Sequence, residues 1–308
     1  MPGPIVILGV FVADTAYRAD RQPRLGETIL GQGFALGPGG KGSNQAVAAA
    51  RAGGEVHFIS RLARDAFGDL ALRTWAEAGV VPEITHTDGG YTGAAYIFIE
   101  SGTGNNAIIV APGVAGDISE ADIETRAGLI RSASVFMTQL EQPIPAATRA
   151  LQIAREAGVT TVLNPAPAAP LPDGMLALCD WVTPNESEAE ALTGLSVQDP
   201  ATAEAAARTL ILMGAGAAVV TLGAQGALLV HGDRAVHLPA IHAGPVAETT
   251  GAGDAFAGGF AVALSEGRPP EDAVRFGIAT AGISVTRPGT APSMPSREEI
   301  EAVLRANP

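Results

Sequence analysis

The segment Glu248-Thr249-Thr250-Gly251-Ala252-Gly253-Asp254-Ala255-Phe256-Ala257-Gly258-Gly259 places a carboxylate directly after a run of small residues, where a helix is expected over Ala252 to Ser265. Gly251, Ala252 and Gly253 carry no bulk to cover their backbone N–H groups. At a helix start such unpaired donors, together with the macrodipole, form a site for a phosphate or a developing anion. Asp254 falls within one turn of that site. Phosphoryl transfer to an alcohol requires both parts, a base for the hydroxyl proton and fixed dipoles for the moving oxygens. The plain alternative is a strand-to-helix turn capped by an aspartate.

A second segment, Gly37-Pro38-Gly39-Gly40-Lys41-Gly42-Ser43-Asn44-Gln45, holds the single lysine among nineteen Lys and Arg residues. A chain that writes its other cations as Arg and sets one compact ammonium between glycines points to a specific use for it. The segment is not a Walker A loop, because position 35 is Ala and Gly42 stands where Ser or Thr is required. Gly37 to Gly42 does satisfy Gly-x-Gly-x-x-Gly, but the N-terminal strand ends well before it, where a dinucleotide loop would have to begin.

With these segments go Ala13-Asp14, Leu25-Gly26-Glu27-Thr28, Gln139-Leu140-Glu141, Asn164-Pro165-Ala166-Pro167-Ala168, Thr183-Pro184-Asn185-Glu186-Ser187-Glu188-Ala189-Glu190 and Thr221-Leu222-Gly223, in order along nearly the whole chain. Together they resemble the ribokinase branch of the PfkB carbohydrate kinase family. The resemblance implies an α/β, ribokinase-like fold: a mostly parallel central sheet with helices on both faces and a small β-sheet lid. It implies an ATP-dependent kinase for the primary hydroxyl of ribose or a ribose-like sugar. Asp254 would be the general base, with Gly251, Ala252 and Gly253 as anion hole, and Asp14, Gly40, Lys41, Asn44, Glu141 and Asp254 would hold the sugar. The nucleotide would meet Asn185, Gly253 and the stretch Thr221, Leu222, Gly223, Ala224, Gln225 and Gly226. Asn185 and Glu188, one helical turn apart, would order Mg²⁺ through water, although the same pair also makes a capping box. A monovalent cation, K⁺, would sit among Glu248, Thr250, Ser284, Arg287, Gly289 and Ser293.

Two departures bear on the substrate. The family commonly has Asn-x-Asp after the first strand, whereas this chain has Val12-Ala13-Asp14; and Glu248 stands where Asp is usual. A lost polar partner changes preference among hydroxylated substrates. Another pentose, a ketohexose or a nucleoside therefore stand as alternatives to ribose. Outside kinases, the alternatives are an NAD-dependent oxidoreductase using the Gly37-to-Gly42 loop and a non-catalytic sugar-binding protein on the same fold.

The elements that must position these residues follow from short apolar runs alternating with helical patterns. Strands are expected at Ile5–Val12, Val56–Ile59, Ser134–Met137, Thr160–Leu163, Trp181–Thr183, Ala218–Leu222 and Ala227–Val230. Helices are expected at Ser43–Ala52, Gly68–Ala78, Glu120–Ser132, Ala146–Ala157, Glu186–Leu192, Ala201–Met213 and Glu271–Thr286. Such alternation gives a parallel sheet covered on both faces. About 14–36 and 92–110 break it and read as lid strands within one domain spanning 1–308. Tyr96, Ile97, Phe98 and Ile99 suggest a homodimer formed through paired lids.

A net charge of −13 argues against nucleic acid or an anionic membrane as partner. The uncharged stretch from Thr209 to Val230 is long enough to span a bilayer, but Gly214, Gly216, Gly223, Gln225 and Gly226 cut it into shorter elements. A single cysteine, Cys179, suits a reducing cytoplasm. None of the five histidines forms a metal pair on a helix.

Overall fold

The computed structural model describes residues 3–307. Nine strands form one sheet: β1 (Ile5–Leu8), β4 (Val56–Ala63), β5 (Val81–Thr87), β8 (Val135–Thr138), β9 (Thr160–Leu163), β10 (Trp181–Val182), β11 (Ala217–Thr221), β12 (Ala227–His231) and β13 (Arg234–Leu238). Their order is β13-β12-β11-β10-β9-β8-β1-β4-β5. The sheet is parallel from β11 to β5 and closes at one edge with the antiparallel β11-β12-β13 meander.

Strand residues divide between two cores with period two. Ile5, Ile7, Phe58, Met137 and Val219 face helices α1 (Lys41–Arg51), α2 (Ala66–Ala78), α8 (Ala252–Ser265), α9 (Pro270–Ser284) and α10 (Arg297–Ala306). Val6, Leu8, Phe136, Leu163 and Val220 face α3 (Glu120–Glu124), α4 (Ala127–Ser132), α5 (Ile144–Glu156), α6 (Glu186–Thr193) and α7 (Pro200–Leu212). Burial of both faces is why these strands read as continuous apolar runs.

Four further strands, β2 (Val12–Ala19), β3 (Gly33–Gly39), β6 (Thr92–Glu100) and β7 (Asn106–Gly113), form a separate small sheet in the order β3-β2-β6-β7. The two segments that broke the alternation supply it.

The structure corrects several boundaries. The apolar run Ile5–Val12 is not one strand: the chain leaves the large sheet at Gly9 and enters the small one at Val12. A Cβ on Gly9 would stand 2.7 Å from the Gly42 Cα and 2.6 Å from Gln139 Oε1, so this crossing needs glycine. The helix expected over Glu120–Ser132 breaks into α3 and α4 at Thr125-Arg126, where the Arg126 guanidinium turns to the Glu83 and Asp122 carbonyls. Strands β5 and β13 and helix α10 were not foreseen. The two strands lie at sheet edges with mixed exposed faces, which removes the apolar signal. The stretch Thr209–Val230 divides into the end of α7, β11 and β12, and among the described residues no helix is long and apolar enough to cross a membrane.

Within the small sheet, Phe98 is buried and Tyr96, Ile97 and Ile99 are only partly exposed, which corrects the expectation that they form its open face. The exposed apolar surface belongs instead to Tyr17, Phe34, Leu36, Ile108, Ile109 and Val110. The parallel β2–β6 pairing puts β6 in the interior of the sheet, with β3 and β7 outermost.

Candidate active site

The carboxyl ends of β8, β9, β10 and β11 deliver Gln139 and Glu141, Asn164, Thr183 and Asn185, and Thr221 to one edge of the large sheet. The N-termini of α1 and α8 point into the same edge. Between them lies a cavity of about 140 Å³ lined by residues that include Lys41, Asn164, Asn185, Glu188, Thr221 and Gly251 to Asp254. A larger groove of about 470 Å³ opens at the opposite edge beside Trp181 and His231, but its one cation, Arg155, is already paired with Asp180. The chemistry therefore belongs at the carboxyl edge, where open α/β sheets bind ligands.

Helix α8 begins as foreseen. Gly251 caps it at φ 81°, a left-handed conformation that favours glycine. The Ala252 N–H turns back to the Thr249 carbonyl at 3.2 Å, so of the expected trio of donors only Gly251 and Gly253 keep theirs without a protein acceptor among the described residues. Asp254 is buried. Its Oδ2 accepts from Asn44 Nδ2 at 3.1 Å and its Oδ1 from Gln45 Nε2 at 3.0 Å. Burial pushes this carboxyl above the ordinary aspartate range, and Lys41 with the two amides pulls it part of the way back.

The residues expected to hold a sugar converge around the start of α1. Gly40 caps that helix at φ 89°, and a Cβ there would stand 2.5 Å from the Val10 carbonyl oxygen. A Cβ on Gly39 would meet the Asp14 carboxylate at 2.4 Å, so this glycine makes room for that side chain. The Lys41 N–H donates to Glu141 Oε2 at 2.7 Å. Burial, with Asp254 nearby, pushes Asp14 up to about 6. Burial also lifts Glu141 to about 7, against the opposing pull of the Lys41 N–H and ammonium. For Lys41, burial acts downward, but Asp254, Glu141 and Glu188 more than offset it and leave the ammonium above the usual lysine range.

Across the cavity, Asn185 and Glu188 form a reciprocal cap: Asn185 Oδ1 accepts from the Glu188 N–H at 2.8 Å, and Glu188 Oε2 accepts from the Asn185 N–H at 2.9 Å. No group of three acidic, His or Cys side chains able to hold a metal occurs among the described residues. Thr221 pairs beside Asn185 and lines the cavity. Leu222 faces the core, so only its backbone remains for a ligand, and Gly223, Ala224 and Gln225 lie exposed in a short 3₁₀ turn. Gly226, at φ 95°, closes the turn, with its carbonyl accepting from the Leu222 N–H at 2.8 Å.

The residues foreseen for a monovalent cation lie on two neighbouring turns. Glu248 Oε2 accepts from the Gly289 N–H at 2.8 Å, and the Ala247 and Glu248 N–H groups share the Val285 carbonyl. Thr250 is exposed, Ser284 is buried, and Ser293 Oγ donates to Thr290 O. The Arg287 side chain is turned aside by its ion pair with Glu299.

Sequence reasoning assigned no role to Gln45, Gln139, Asn164 or Thr183. All four lie inside the motifs named above, but a buried amide or hydroxyl leaves no periodic or charge signal. The Gly37-to-Gly42 segment is the end of β3 in the small sheet and the start of α1, and follows no strand of the parallel sheet, which overturns the dinucleotide-binding alternative.

A doubly covered parallel sheet, a buried aspartate at a bare helix start and a carboxylate-rich cleft under a small sheet define a carbohydrate-kinase type of enzyme. The sequence matches the pfkB family carbohydrate kinase description over residues 5–297, and the chain belongs to that family. It is 38% identical over 296 residues to a ribokinase of Haemophilus influenzae, covering 96% of each chain. It is 34% identical to a deoxyribokinase of Salmonella typhi, covering 98% of this chain and 99% of the other. The structure is similar to that of Arabidopsis thaliana ribokinase complexed with ribose and ATP, with a TM-score of 0.92, 31% identity and 99% of each chain covered.

Proposed function

We propose that the protein is an ATP- and Mg²⁺-dependent kinase that phosphorylates the primary hydroxyl of ribose or a ribose-like pentose. The observation that carries this reading is the buried Asp254 carboxylate, held by two amides beside the free N–H groups of Gly251 and Gly253. Asp254 takes the hydroxyl proton as the new sugar O–P bond forms and the bond between the β,γ-bridging oxygen and the γ-phosphorus breaks. ADP leaves, and the two N–H groups and Lys41 stabilise charge on the phosphoryl oxygens. Asp14, Lys41, Glu141 and Asn44 orient the sugar, since carboxylates accept hydroxyl hydrogen bonds and the ammonium donates them.

Glu188 leaves its other carboxylate oxygen without a protein donor, which suits a water on Mg²⁺; the ion, when bound, screens the phosphate charge. Glu248 has no cationic partner among the described residues, and its carboxylate beside the anion-hole turn fits K⁺. The small sheet acts as a lid that excludes water. Its exposed Phe34, Leu36, Ile108 and Ile109 support a homodimer through the lids, to be checked by equilibrium sedimentation at micromolar concentration. The buried Cys179 suits a cytoplasmic enzyme.

A second reading within the class is a deoxypentose. Val12 shares a face of β2 with Asp14 and is buried, so the carboxylate has an apolar neighbour in place of an amide. ADP release measured with ribose, 2-deoxyribose, a ketohexose and a nucleoside tests both readings. No release with any of them would leave a sugar-binding protein.

A further inference from the structure

Behind the cleft lies a run of buried side-chain amides. Gln45, on the second turn of α1, is fully buried and is absent from the cavity lining. Its Nε2 has two hydrogens and two acceptors, Asp254 Oδ1 and Asn164 Oδ1, each at 3.0 Å. Its Oε1 accepts from Gln139 Nε2 at 2.5 Å.

We propose that Gln45 is a positioning residue for Asp254: its amide, locked in one orientation by Gln139, fixes the carboxylate's rotamer by donating to its Oδ1. This rests on the reading of Asp254 as the base.

The orientation of an amide follows from its partners. Asn164 Nδ2 donates to the Thr183 carbonyl at 2.8 Å, which turns Asn164 Oδ1 toward Gln45. Reversing Gln45 would set its oxygen against the Asn164 and Asp254 oxygens and its NH₂ against that of Gln139. Gln139 is itself fully buried, and its Oε1, without a protein partner, is packed where a Cβ on Gly9 or Gly42 would stand 2.6 or 2.7 Å away. Two glycines thus crowd the outer end of the run and the carboxylate closes the inner end.

Close approach of α1 and α8 makes the reach possible. A Cβ on Gly258 would stand 2.6 Å from the Ala48 Cβ and 2.7 Å from the Gln45 carbonyl oxygen. Asn44 holds Oδ2 and Gln45 holds Oδ1, so neither oxygen can rotate without losing a charge-assisted bond. The low-dielectric setting makes a lost donor costly.

The test is the pH dependence of kcat at saturating sugar and ATP, with sugar Kd and Tm measured alongside. Gln45→Leu removes the donor, and the acid limb is expected to move up by about one pH unit. The kcat at neutral pH should fall roughly tenfold or more, with sugar Kd unchanged. Gln139→Met touches no ligand and releases the Gln45 amide, so its acid limb should also rise, by less than in Gln45→Leu, with sugar Kd unchanged. A wild-type limb in Gln45→Leu and Gln139→Met, with only a lowered Tm, would overturn the proposal and make Gln45 a packing residue. If Gln45→Leu does not fold, an unmoved limb in Gln139→Met overturns it alone. A wild-type protein inactive on every sugar defeats the kinase reading and this proposal together; an active wild type with unmoved limbs defeats only the proposal.

Discussion

The backbone N–H of Lys41 donates to the carboxylate of Glu141, 100 residues further along the chain, at 2.7 Å. One bond joins the N-terminus of α1 to the loop after β8 and sets the lysine's own ammonium among Asp254, Glu141 and Glu188.

That setting makes the single lysine a probe of the site. Only unprotonated amines react with acylating reagents, and the carboxylates hold Lys41 protonated, so labelling near pH 7 should fall on the α-amino group. At higher pH Lys41 should label too, and a sugar that is phosphorylated should shield it. Mass-spectrometric mapping with and without each sugar reads this directly; equal labelling of Lys41 under a true substrate would remove it from the sugar site.

Asp254→Asn should lower kcat by about 10²- to 10⁴-fold, the usual worth of a general base. Sugar and nucleotide affinities should change little, because the amide still fills the space. Retention of more than a tenth of wild-type kcat would assign proton removal to another group.

The contribution of Asp14 and Glu141 to ligand-free stability should fall as pH rises from about 4 to about 7. Asp14, at about 6, and Glu141, at about 7, are raised above their unfolded values of 3.8 and 4.5. A raised folded value means that the native state binds the proton more tightly, so the contribution is complete below the unfolded value and lost as pH passes the folded one. Thermal melts across pH 4 to 8 should show a smaller decline for Asp14→Asn than for wild type. Parallel curves would mean that Asp14 titrates normally.

Replacing K⁺ by a large organic cation at matched ionic strength should slow turnover. Glu248→Ala should weaken the response, since it removes both the carboxylate charge and the acceptor of the Gly289 N–H. Equal rates in the two salts would show that the turn holds its shape without an ion.

Much of this molecule was legible along the chain because the signals are local. Glycines at the starts of α1 and α8, the small residues around Asp254, the cap formed by Asn185 and Glu188, and the apolar runs of the buried strands each depend on neighbours a few residues away. Family resemblance added order and spacing to those signals. The edge strands β5 and β13 carried no such pattern, because a strand exposed on one face and one edge can be written with almost any residues.

What only the tertiary structure decided is which polar groups meet. Gln45 and Asp254 are 209 residues apart and Gln45 and Gln139 are 94 apart. Neither pairing has a periodicity to betray it. The break after Leu8, the separation of the small sheet and the choice of Tyr17, Phe34 and Ile109 rather than Phe98 for its open face came from strand pairing. Residue types and short spacings determine where a chain can turn, cap or bury a face, but a buried hydrogen bond belongs to two distant segments at once and exists only when packing brings both to the same place.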